Sequence, residues 1–307
     1  MVPEDEVVKF FEHIDKLIVR CKLHPSLLFN TDETFIDADA PRKVVCYCPY
    51  GEEVRGYVES GKMPFHLTML ACIAADKTSL NPHIILDLQT VPPSLLHYMD
   101  SISISGSKKG WINTEIWRDW VKTIFIPEVK RRREKIGRPK ARALLISDGH
   151  NSREDVDTIR LLMNNNIDLL ILPAHSSHIL QPLDKTCFSV FKSKICTEDL
   201  FEDGDTKQDK REKLIKKAVD AWEAASIRST IESAFAATGI WPVNSKKILN
   251  PSMASIVKRE VEKPTPIDGP RINISNRVVT RESFVQELEA AKSKAHKPPP
   301  AKIPKTN

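Results

Sequence analysis

Ala143-Leu144-Leu145-Ile146-Ser147-Asp148-Gly149-His150 is the stretch that decides how the chain is read. The short apolar run reads as a buried strand, and the Asp-Gly step after it marks a turn. Ser152 and Asp155 then resemble a capping box for a helix in which Val156, Ile159, Leu162 and Met163 repeat at helical spacing. Asp168 to Leu172 reads as the next buried strand. Strand, turn, helix and strand in that order describe a sheet with right-handed crossovers and helices on its faces.

Working outward, Val7, Phe10, Phe11, Ile14, Leu17 and Ile18 predict an amphipathic helix from Glu6 to Cys21. Leu27 to Asp32 reads as a strand running into a carboxylate. Val44 to Cys48, Phe65 to Ala75 and His83 to Leu88 read as further strands, with Gly51 to Lys62 as a connecting hairpin or loop. Ile116, Trp117, Trp120, Val121, Ile124 and Phe125 share one helical face after a capping Asn113 or Thr114. Pro182 suits the first position of a helix that buries Leu183, Cys187, Phe191 and Ile195, which places Asp184 in its first turn. Two more helices follow, with Leu214, Ala218 and Trp222 on one face and Ile227, Ile231 and Phe235 on another; Gly239 and Pro242 close them. The expected organisation is a packing helix over 1–22, a mixed α/β domain over 23–245, and a Pro- and Lys-rich, largely disordered tail over 246–307, with a short helix at Glu282 to Ala291.

The chain has 307 residues, 41% of them apolar, enough for a substantial core. Lys and Arg exceed Asp and Glu by 46 to 41, which suits a polyanionic partner without requiring one. Six scattered cysteines are not the dense framework of a small secreted domain, so reduced thiols are expected. Acidic residues occupy the N-terminus where a signal peptide needs basic ones, and no apolar run reaches the roughly 18 residues of a membrane span. A soluble, intracellular protein with no membrane partner is expected.

Three aspartates end or follow apolar runs: Asp32 after Leu-Leu-Phe-Asn-Thr, Asp148 after Ala-Leu-Leu-Ile-Ser, and Asp184 at a helix start. Strand carboxyl ends open into the crevice where such sheets bind ligands. Converging carboxylates repel one another unless divalent cations neutralise them, and Mg²⁺ prefers such hard oxygen ligands. Two ions roughly 4 Å apart serve in-line phosphoryl transfer. Taken singly, each aspartate is equally a helix cap or a strand terminator.

Six segments together carry a resemblance. Phe29-Asn30-Thr31-Asp32-Glu33-Thr34, Gly110-Trp111-Ile112, Phe125-Ile126-Pro127, Leu144 to His150, Leu172 to Lys192 and Ala234 to Asn244 are similar, in order and spacing, to the catalytic domain of pogo, Tigger and jerky-like transposases of the DDE superfamily. They span about Val7 to Asn244, with 35 residues between Asp148 and Asp184. The resemblance implies an RNase H-like mixed five-stranded sheet flanked by helices. It implies Asp32, Asp148 and Asp184 as the catalytic, metal-binding triad for two Mg²⁺ ions, with Mn²⁺ as the alternative and Asp32 as the shared ligand. The implied activity is DNA nicking and strand transfer in the nucleus. One departure is that Arg153 stands where family members often have His.

Lys130-Arg131-Arg132-Arg133 is the densest basic run, read as a DNA-backbone contact, a nuclear import signal or the solvated end of a helix. His178 is a candidate for orienting a phosphate, whereas His175 and His178 lack the paired cysteines of a zinc site. Cys46 and Cys48 are expected to be packing residues, and the tryptophans core residues. Transposing relatives carry helix-turn-helix modules ahead of this domain, and the chain begins almost at the domain itself. Targeting is therefore expected from a homo-oligomer or a separate protein. The alternatives are a domesticated, catalytically silent DNA- or protein-binding derivative, or a relic fragment.

Overall fold

The computed structural model describes residues 2–36, 42–47, 53–58, 66–98, 102–195, 200–249, 257–258 and 274–295, with backbone alone at 42–47, 53–58, 96–98, 257–258, 292, 294 and 295. Strand β1 (Val2–Pro3) leads into helix α1 (Glu4–Ile14), which continues in wider π turns to Arg20 and buries the six apolar residues spaced for it. Next come β2 (Leu28–Ile36), the antiparallel hairpin of β3 (Arg42–Tyr47) and β4 (Glu53–Val58), β5 (Leu67–Ala74), β6 (Thr78–Ser79), β7 (His83–Leu86) and β8 (Ser103–Gly106). Helix α2 (Thr114–Trp120), capped by Asn113, runs through a π segment into α3 (Ile126–Lys135). Strand β9 (Ala143–Ser147), α4 (Val156–Asn164) and β10 (Ile167–Ile171) form the crossover unit, followed by α5 (Ser177–Leu180), a π turn at Leu183–Cys187, and α6 (Phe188–Lys194). Helices α7 (Lys207–Ala225) and α8 (Arg228–Ala237), strand β11 (Val257–Lys258) and α9 (Glu282–Ala295) complete the chain.

The main sheet has the order β10-β9-β2-β5-β7-β8, with β6 on β5. Among the described residues it holds seven strands rather than five, because the two-residue β6 and the serine-rich β8 are too short or too polar to show an apolar pattern. Strands β10, β9 and β2 are mutually parallel, β2 and β7 each run antiparallel to β5, and β8 runs parallel to β7.

A column of aromatic rings runs behind the sheet. Trp117 stacks on Trp120 and Trp120 on Phe125, each at 5.3 Å, and Phe125 meets Phe29 edge-on at 5.1 Å. A guanidinium covers each end: Arg153 lies 3.9 Å from the Trp117 ring centre and Arg132 lies 5.1 Å from that of Phe29. Trp117, Trp120 and Trp222 are core residues as expected, but Trp111 is 55% exposed. Gly110 adopts φ +69°, and a Cβ there would come within 2.7 Å of the His66 ring, so only glycine lets this turn close.

Two expectations need correction. Asp155, not Ser152, caps α4, accepting the Thr158 N–H at 3.0 Å; the Ser152 hydroxyl is instead bound by Arg153. Residues 274–295, placed in the tail, dock on the outer edge of the sheet. Val279 N–H donates to Leu169 O, Ile171 N–H donates to Arg277 O, and α9 buries Phe284, Val285 and Leu288. Three apolar side chains repeating at helical spacing suffice once the free edge of β10 accepts the segment. Residues 259–273 and 296–307, also assigned to the tail, lie outside the described residues.

Candidate active site

Register builds the site. In the parallel pair of β2 and β9, Asn30 lies opposite Ile146, the last matched position. Asp32 and Asp148 each follow two residues later, so both carboxylates leave the paired strands at the same level and on the same face. Carboxylate oxygens of Asp32, Glu33 and Asp148 lie within 4.8 Å of one another, a set of hard oxygen donors that fits a divalent cation. Asp32 is 9% exposed and accepts the Glu33 N–H at 2.9 Å. Burial first, then Glu33, Asp148 and Asp184, hold its carboxyl well above the usual range. The pocket is thus short of positive charge where these residues meet.

Asp184 stands in the π turn that leads into α6 and is more open to solvent. It lies outside the closest three-carboxylate group, yet partial burial, and after it the charge of Asp148, raises its carboxyl against Lys192 and Lys185. The segment is fixed by buried amides. Asn30 Oδ1 accepts the Leu183 N–H at 3.1 Å, Asn30 Nδ2 donates to Gln181 Oε1, and Gln181 Nε2 donates to the Thr31 carbonyl at 3.3 Å.

Arg153 closes the back of the cluster. Its side chain is fully buried, and Nη2 donates to Glu33 Oε1 at 2.6 Å while lying 3.6 Å from Asp148 Oδ1. Nε donates to Ser147 Oγ at 3.0 Å and Nη1 to Ser152 Oγ at 2.7 Å. Burial disfavours this charge, but Glu33 and Asp148 outweigh it and the guanidinium is held above its ordinary value. Glu33 was not singled out from sequence, although it stands beside Asp32 in the Phe29–Thr34 segment; strand neighbours ordinarily point to opposite faces. Asn30 and Gln181 stood inside quoted motifs, and the pairing of a buried amide with a buried amide was the signal available.

The basic run is divided. Arg132 is buried, donating to Glu128 at 2.6 Å, to Asp76 at 3.1 and 3.2 Å, to Thr78 and to the Ser26 carbonyl. Arg133 is buried and donates to the Asn166 carbonyl. Lys130 and Arg131 are exposed, although Arg131 is bound bidentately to Glu128. His178 is exposed on α5. Among the described residues, neither His175 nor His178 joins a group of three metal-ligating side chains. The side chains of Cys46 and Cys48 lie outside the described residues. Among those same residues, no helix is long and apolar enough to cross a membrane.

Residues 66–235 match the family described as DDE superfamily endonuclease, a span that includes Asp148 and Asp184 and opens after Asp32. The human Pogo transposable element with KRAB domain is 23% identical over 197 residues, covering 63% of this chain and 31% of that protein. Human Tigger transposable element-derived protein 7 is 24% identical over 234 residues, covering 69% of this chain and 40% of its own length. The chain therefore spans less than half the length of these curated relatives. Among solved structures, the Mos1 transposase paired-end complex with left transposon end superposes with a TM-score of 0.53 at 14% identity, over 80% of this chain and 63% of that one. That likeness concerns the fold, an RNase H-like mixed sheet flanked by helices.

Proposed function

Because the chain belongs to the DDE superfamily endonuclease family, we propose that it is a metal-dependent DNA endonuclease or transposase catalytic domain, with Asp32, Asp148 and Asp184 as the triad. The observation that carries this reading is the register of β2 and β9, which sets Asp32 and Asp148 side by side in a buried, charge-deficient pocket. Asp32, Asp148 and Asp184 would hold two Mg²⁺ or Mn²⁺ ions, which when bound supply the charge that activates an attacking oxygen and stabilises the leaving one. The chain's own residues fix the rest. Asn30 and Gln181 hold the third aspartate to the first strand, and Arg153 keeps Glu33 from repelling its neighbours unopposed.

The substrate is DNA, positioned through backbone phosphates by exposed cations such as Lys130, with His178 near the third-aspartate segment. Nuclear location follows from that substrate. Supercoiled plasmid incubated with the protein and Mg²⁺ or Mn²⁺ is expected to become open-circular, and to stay supercoiled in EDTA. Unchanged plasmid with well-folded protein in all three conditions would refute the reading.

One observation favours a second reading. A guanidinium 3.6 Å from Asp148 supplies charge that a cation would otherwise supply, which suits a silent DNA-binding derivative. Salt-sensitive DNA binding without nicking would select it.

A further inference from the structure

We propose that Arg153 is a positioning residue that divides the acidic cluster: it takes Glu33 as its counter-ion and turns one oxygen of Asp148 inward, leaving the other oxygen of Asp148 and the carboxylate of Asp32 to the cation. This rests on the metal-dependent reading above and goes beyond it, because that reading leaves open whether Glu33 joins the ligands and which oxygen of Asp148 faces the cation.

The contacts are unequal in a way that supports the division. Nη2 of Arg153 makes a 2.6 Å charge-assisted hydrogen bond to Glu33 but stands 3.6 Å from Asp148 Oδ1, outside hydrogen-bond range. Ser147 Oγ lies 3.5 Å from the same Oδ1. Asp148 is thus oriented through Oδ1 without being consumed. Glu33 is consumed, since its Oε1 holds the short bond to a side chain that is wholly buried.

Arg153 cannot swing away from this duty. Trp117 covers its flat face at 3.9 Å, and the hydroxyls of Ser147 and Ser152 take Nε and Nη1. A planar guanidinium held on one face and along two edges aims its remaining nitrogen in a fixed direction, which a flexible ammonium would not do. The Trp117 ring is itself stacked on Trp120, which stacks in turn on Phe125, so the aim of Nη2 is referred back to the core.

The test is Mn²⁺ alone, titrated into the protein and followed by the EPR signal of free ion, in wild type, Arg153→Met, Glu33→Gln/Arg153→Met and Asp148→Ala. Methionine keeps an apolar chain over Trp117 while removing the charge. Arg153→Met releases Glu33 as an extra ligand and removes a competing cation, so Mn²⁺ is expected to bind about tenfold more tightly. The double variant removes both members of the pair and is expected to bind Mn²⁺ within about threefold of wild type. A purely structural Arg153 would give the opposite sign, since loosening the site weakens binding. Weaker or unchanged binding by folded Arg153→Met overturns the proposal. Should that variant fail to fold, the neutral pair decides: loss of Mn²⁺ binding there makes Glu33 a ligand and overturns it. Wild type that binds no Mn²⁺, or Asp148→Ala that binds it as well as wild type does, contradicts the metal-dependent reading instead.

Discussion

The side-chain amide of Asn30 donates to the side-chain carbonyl of Gln181, and this bond joins the strand that carries Asp32 to the turn that carries Asp184. Asn30 also donates to the Ile146 carbonyl at 3.1 Å, so a single residue touches all three aspartate-bearing segments. The arrangement ties an asparagine two residues before Asp32 and a glutamine three residues before Asp184 to the segments that carry the aspartates.

Asn30→Ala leaves the Leu183 N–H and the Gln181 carbonyl without their buried partner. Loss of about 2–4 kcal/mol is expected, from the cost of stranding buried polar groups. Urea unfolding measures it, and a change under about 0.5 kcal/mol would show that the amides are not a structural clasp. Any metal-dependent nicking should fall further than stability does, because Asp184 loses its tether.

His83 sets a pH dependence. It is buried on β7, with its ring nitrogens 2.6 Å from the Ser103 hydroxyl and 2.9 Å from that of Ser105, and burial pushes its pKa from 6.5 down to about 4. Between those values the unfolded chain binds a proton that the folded chain refuses. Stability from this residue is therefore complete above pH 6.5 and is lost as pH falls towards 4, by about 3 kcal/mol in all. Urea midpoints at pH 7.5, 6 and 5 should fall more steeply for wild type than for His83→Gln. Parallel slopes would contradict the buried neutral ring.

The basic run separates by its burial. Arg132→Ala leaves Asp76 and Glu128 without their shared cation, and is expected to cost about 3–5 kcal/mol, as for breaking a buried pair. Lys130→Ala should leave thermal stability unchanged and lower the salt dependence of DNA binding by about one counter-ion. Equal loss of stability in both variants would contradict the division.

Much of the candidate site is legible in the sequence. Asp32 and Asp148 followed from apolar runs ending in carboxylates; Asp148 does follow the end of β9, whereas β2 continues through Asp32 to Ile36 and only its pairing with β9 stops before the aspartate. Asp184 was legible chiefly through its family-like segment, since a helix-start aspartate is ordinary. Glu33 and Arg153 were not assigned to the site because their roles depend on one another across 120 residues of sequence, and strand alternation assigns adjacent residues to opposite faces. Arg153 did stand out as a departure, which is the trace such a contact leaves. Likewise, Phe284, Val285 and Leu288 were too few to announce a docked helix until β10 supplied an open edge. The basic run looked uniform because charge type does not reveal which arginines find buried partners.

The most direct measurement is Mg²⁺-dependent nicking of supercoiled plasmid by wild type and by Asp148→Ala, with circular dichroism verifying that both are folded. Open-circular product from wild type and none from the variant is the expected result. Equal nicking by the two proteins, or none from folded wild type, would contradict the assignment of this acidic cluster as a metal-dependent nuclease centre.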